Sequence, residues 1–359
     1  MRGIPSETIK DPEGRVLLFS CEQFVEDICQ GSCCFICGAQ AASKEFNNEH
    51  VLPRWILERY NLFNKTMILP NGQKHRYGTY TIPCCKDCNS LLGESIETPM
   101  SEMLRGSYSE VVQKIELNQE LLFIWLCLLF VKIHLKDKFL RANLDYREEQ
   151  YSIAEGCGYF WPEVHHIHAV ARSVYSGAGL TTGVIGSIIV LPIQDPTTTD
   201  QFDWMDITND QTVIVRIGNV GIVAVLNDAG ECTIGVRDFL LRIQGSIGTT
   251  QLRELGARMA TANADLVNRP SFGTTVSTDL QRTQIWADYS ETEFRTFDHS
   301  RYGERLVHAL SDRLESLSIN DQRGEENIRA ILMTGKASFI VDSQGKFNPK
   351  IEWMEKSET

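Results

Sequence analysis

Apolar and polar positions are arranged in three different ways along this chain, and each arrangement predicts a different element. Across residues 121–131 every side chain is apolar, with no polar position at helical spacing. A run of that kind predicts a helix buried on all sides. It is shorter than the roughly 20 residues a bilayer needs. Helix is expected over residues 99–140, with Lys132, His134, Lys136, Asp137 and Lys138 returning it to solvent. From Trp161 the period is that of an amphipathic helix. Pro162 stands at its start, and Val164, Ile167, Ala171 and Val174 share one face. His165, His166 and His168 are then read as part of a polar face, since no carboxylate stands at ligand spacing from them.

Short β-branched runs predict strands at residues 15–19, 47–52, 78–82, 181–193, 212–217 and 222–226. The Asn227-Asp228-Ala229-Gly230 turn leads to another at 232–236. The strands after residue 180 predict an antiparallel sheet, with Asp203, Asp206 and Asp210 in a loop between strands as caps or solvated groups. Residues 245–250 fit no phosphate-binding spacing and are read as the N-cap of a helix reaching about Asn268. Helices at 22–29, 302–317 and 325–333, a strand at 338–341 and a loose tail at 356–359 complete the prediction.

The length of 359 residues allows two or three domains. Eleven cysteines without an apolar leader predict a reducing, cytoplasmic setting in which thiols bind metal or pack. A net charge of −12 argues against indiscriminate nucleic-acid binding. That charge is uneven: from Lys44 to Asn89 seven basic residues outnumber four acidic ones, a local +3.

The basic segment also carries the chemistry. Cys34-Phe-Ile-Cys37 and Cys85-Lys-Asp-Cys88 each place two thiols at the bite of one zinc ion, and together they supply a closed tetrathiolate site. Cys33 and Cys84 leave a one-residue ambiguity, settled in favour of Cys34, Cys37, Cys85 and Cys88 because both pairs then keep the same spacing. Between the pairs lies Glu49-His50, and Asn89 follows the last cysteine. A neutral imidazole takes a proton from water near pH 7. Glu49 and Asn89 offer the oxygen ligands that Mg2+ or Mn2+ prefers. Arg54 and Lys86 flank these residues and are the expected phosphate contacts. Trp55 is expected to anchor packing, and Glu97 to pair with Arg54 or Lys86.

This pattern, with Pro53, Gly93 and Glu97, resembles the HNH endonucleases of the ββα-metal type, in their zinc-stapled branch. The resemblance spans about residues 33–97. It implies a treble-clef-like zinc domain with structural Zn2+ on the four cysteines, His50 as the base, and Glu49 and Asn89 holding the catalytic Mg2+ or Mn2+. The family's middle Asn has no counterpart here, Thr79 or Tyr80 standing in its place. The expected whole is an α+β protein: a nuclease domain with its N-terminal arm over 1–99, a helical bridge over 100–150, and an α+β regulatory, targeting or assembly domain over 151–359. The expected function is DNA hydrolysis, with no membrane involved, with a protein partner or self-association through the C-terminal domain and a role in restriction or anti-phage defence. RNA cleavage, or a decayed zinc-stapled module that binds nucleic acid or protein, are the alternatives.

Overall fold

A computed structural model describes residues 7–196, 198–277, 282–321 and 324–349. The chain is mixed α+β with several sheets. It divides into two compact units. The first holds the described residues up to Arg105, Gln113–Ile185 and the described part of Ser271–Asp288; the second holds Gly106–Val112, Gly186–Pro270 and the described residues from Tyr289 on. These limits differ from the expected ones at 99 and 150.

In the first unit the apolar run lies within the helix Gln119–Asp137, capped by the Asn118 side chain and buried from Leu122 to Leu135. Burial on every side explains why no polar face was visible. Three of the polar residues near its end do not return to solvent, while Lys136 and Lys138 are half-buried. Lys132, His134 and Asp137 are buried; His134 Nδ1 bonds the Phe130 carbonyl at 2.6 Å, and the Tyr159 hydroxyl donates to Asp137 at 2.6 Å. The helix Trp161–Ala171 starts where Pro162 predicts, yet its histidines form no polar face. His165 and His168 are buried against backbone carbonyls, and His166 stacks flat on Phe272 at 3.7 Å. A strand Arg282–Asp288, missed in the sequence, pairs antiparallel with Ser271–Ser277 and parallel with Ala178–Leu180.

Two antiparallel strands, Phe46–His50 and Thr81–Cys85, pair Glu49 with Ile82 and His50 with Thr81, and the helix Lys86–Leu92 follows directly. Helical backbone continues beyond Leu92 and through Pro99. A π-turn at Gly93–Glu97 widens the backbone, and Pro99 sits in the first turn of the next segment, Thr98–Met103, where its missing N–H costs little.

The second unit is built on a four-stranded antiparallel sheet, in the order Ile188–Pro192, Val220–Val225, Thr212–Ile217 and Phe202–Ile207. The helix Thr249–Asp265 packs on it through Leu252, Leu255 and Met259 against Ile214 and Val223. Gly256 permits this approach, since a Cβ there would stand 2.1 Å from Ile214. Residues 203 and 206 lie on an edge strand rather than a loop. Asp203 pairs with Arg253 and Arg313, and Asp210 with Arg305, so arginines supply the positive partners.

Three further expectations fail because buried polar side chains compete for the backbone. The buried Asp228 carboxylate accepts from Cys232 N at 2.7 Å and turns 232–236 into the helical segment Cys232–Gly235. Glu254 accepts from Phe339 N and Ile340 N, which leaves only bridge residues, Ser338 and Val341, in place of the expected strand 338–341. Arg253 binds the Ala309 carbonyl and Asp312, at the break between the helices His299–Ala309 and Leu314–Asp321. Residues 181–193 divide into a 3-10 turn, Thr182–Val184, and the strand Ile188–Pro192. The N-cap reading of 245–250 holds, with Asp195 accepting from Thr249 N at 2.8 Å. The tail at 356–359 lies outside the described residues.

Candidate metal centre and the Glu49–His50 site

The first cysteine pair sits on a tight turn closed by Gly38 N donating to the Cys34 carbonyl at 2.8 Å. Gly38 has φ +75°, and a Cβ there would meet the Phe19 ring at 2.8 Å, so both conformation and space require glycine. The second pair is set by the strand–helix junction: Cys85 ends its strand and Cys88 lies in the first turn of the helix. The four sulfurs of Cys34, Cys37, Cys85 and Cys88 lie within 4.8 Å of one another, and all four residues are buried. A tetrahedral zinc with Zn–S near ~2.3 Å sets its sulfurs about 3.8 Å apart. Cys37 and Cys85 stand at 3.7 Å. The donor set therefore fits a structural zinc ion.

The sequence ambiguity divides unequally. Cys33 is half-buried and outside the cluster, whereas Cys84 Sγ lies 3.8 Å from Cys34 Sγ as a neighbouring thiol. Hydrogen bonds from Cys37, Cys84 and Cys88 depress the pKa of Cys34, and the Cys34 sulfur in turn raises that of Cys37 to about 12. A bound cation would favour thiolates at such a site, since metal ligation requires deprotonated sulfur.

A clamp beneath the cysteine turn escaped the sequence reading. His165, His168 and Arg172 stand at i, i+3 and i+7 on one helical face. His165 Nε2 bonds the Phe19 carbonyl at 2.8 Å and His168 Nε2 the Phe35 carbonyl at 2.6 Å. Arg172 donates to the carbonyls of Ile36 (2.8 Å), Leu17 (2.8 Å) and Val16 (2.5 Å). Burial lowers the guanidinium to about 10, opposed by Tyr175 and the nearby cysteines. Their helical spacing was visible, but with no acidic partner in sequence nothing marked these residues as buried.

Glu49 and His50 are adjacent in sequence and have different neighbours. Glu49 is buried and accepts from Lys132 Nζ at 2.8 Å. The same ammonium donates to the His50 carbonyl at 2.9 Å and to Glu97 at 3.0 Å. Burial alone would lower the Lys132 pKa; the charges of Glu49 and Glu97 reverse this and raise it. Burial raises that of Glu97 despite Lys132. The expected pairing of Glu97 with Arg54 or Lys86 is replaced by this one. The His50 ring is half-buried, edge-on to Phe63 at a centroid distance of 6.0 Å. Burial, then the Lys132 charge, lowers its pKa, so the imidazole is neutral at pH 7.

Asn89 lies in the first helical turn, with its amide donating to Asn47 Oδ1 at 2.8 Å. Asn47 is two residues before Glu49 on the same strand, about 7 Å along it. Asn89 and Glu49 thus each have a hydrogen-bonded partner, Asn47 and Lys132. Arg54 and Lys86 are exposed, paired with Glu58 at 2.7 Å and Glu45 at 3.4 Å. Trp55 packs under Arg59 at 4.5 Å and near Trp125, an anchor as expected.

No family model, curated protein or solved structure matches the chain. No single helix among the described residues is long and apolar enough to cross a membrane.

Proposed function

We propose that residues 34–97 form an HNH-type endonuclease unit that hydrolyses DNA phosphodiesters, with His50 as the general base. The observation that carries this reading is a neutral, partly accessible imidazole at the end of the first strand of a strand–strand–helix unit joined by the four-cysteine cluster. In that role His50 takes the proton from an attacking water. Arg54 and Lys86, on weak surface pairs, are free to turn to a phosphate. A divalent ion would supply charge neutralisation; Glu49 and Asn89, the oxygen ligands expected for it, bond Lys132 and Asn47 in this structure.

The second unit, in this reading, targets or controls the cut, through a protein partner or self-association. Incubating supercoiled plasmid with the full zinc-loaded chain and Mg2+ or Mn2+ tests the proposal. Nicking by wild type, lost in His50→Ala at unchanged zinc content, is the expected result. Matching single-stranded RNA under the same conditions distinguishes the substrate.

A second reading, a zinc-stapled module that binds without cutting, is favoured by the ion pair that engages Glu49. Inert wild-type protein that still retards DNA on a gel would select it.

A further inference from the structure

We infer that Lys132 is the resident cation of the Glu49–Glu97 carboxylate pair, and that it keeps divalent ions off Glu49 in the protein as it stands. The ammonium is fully buried. Its three N–H groups have three acceptors: Glu49 Oε1 at 2.8 Å, the His50 carbonyl at 2.9 Å and Glu97 Oε1 at 3.0 Å. An ammonium can donate no more than three hydrogen bonds, so its donor set is complete.

A divalent ion on these carboxylates would meet their oxygens at about 2.0–2.6 Å. It would have to stand where Nζ stands, or crowd a second positive charge beside it in a buried pocket where repulsion is weakly screened. The carboxylates cannot readily turn away. Glu49 is buried on a paired strand, and Glu97 ends the π-turn. Lys132 is fixed from the other side, since the helix that carries it is buried from Leu122 to Leu135. The field of the two carboxylates keeps the ammonium charged despite its burial. The arrangement supplies one positive charge where the resemblance expects two, and it holds the His50 backbone by the same contact. The inference concerns ion binding and stands whether or not the unit cuts nucleic acid.

Mn2+ titration of the full chain, followed by the EPR signal of free Mn2+ with zinc counted separately, tests it. Wild type should bind no Mn2+ that Glu49→Gln removes, up to millimolar concentration. Lys132→Ala should gain one Mn2+ at least tenfold tighter than any wild-type site, and Lys132→Ala with Glu97→Gln should lose it. Zinc should stay at one per chain throughout. Stoichiometric Mn2+ binding by wild type that Glu49→Gln abolishes would overturn the inference, as would a folded Lys132→Ala that gains none. Should Lys132→Ala fail to fold, wild type against Glu49→Gln decides.

Discussion

Replacing Arg172 by leucine tests the clamp that seats the cysteine turn. The guanidinium spans two segments of the first unit, binding Val16 and Leu17 on one and Ile36 on the other. Hydrogen bonds from a charged donor contribute about 1.5–3 kcal/mol each, so three of them give a gross ~4.5–9 kcal/mol. Against this stands the cost of burying the cation, several kcal/mol, which leucine avoids. Leucine also fills much of the space while leaving three carbonyls without a donor. The net expected loss is about 3–5 kcal/mol: three buried carbonyls left without a donor cost about 1–3 kcal/mol each, partly offset by the avoided burial of the cation. Urea unfolding followed by tryptophan fluorescence, with zinc measured on the same samples, reads both effects. Arg15→Leu is the control: that side chain is half exposed and reaches the Tyr175 carbonyl at 3.4 Å, so its loss should cost under about 1 kcal/mol. If Arg172→Leu unfolds within about 1 kcal/mol of wild type and keeps its zinc, the clamp argument is wrong.

Cys88→Ser should lose the bound zinc and the cooperative unfolding of the first unit, whereas Cys33→Ser, outside the cluster, should keep both by metal analysis and thermal melting. Acid should destabilise the protein through buried neutral histidine. Burial lowers His166 from 6.5 to about 3, so the unfolded chain takes up the proton first. Its contribution is complete above pH 6.5 and falls by about 1.4 kcal/mol per unit as pH drops toward 3. His166→Phe, which keeps the stack on Phe272, should flatten the stability profile between pH 4.5 and 6.5; an unchanged slope refutes the assignment.

Local pattern settled a good part of this protein. Spacing alone selected the cysteines that cluster, because a thiol pair two residues apart on a turn has little freedom in where its sulfurs go. Continuous apolarity over 121–131 selected the buried helix, and Pro162 its neighbour's start, since both are properties of a few adjacent residues. What the tertiary structure decided was the partner of each buried polar group. Lys132 reads as the end of an apolar run until Glu49 and Glu97 are brought to it from elsewhere in the chain. His165 and His168 read as part of a polar face until the carbonyls of Phe19 and Phe35 cover them. Asp228 and Glu254 cap backbone segments that their own β-branched composition would have made strands. A charge in water and a charge in a satisfied buried cluster are the same letter in a sequence, and only the fold supplies the compensating atoms that separate them.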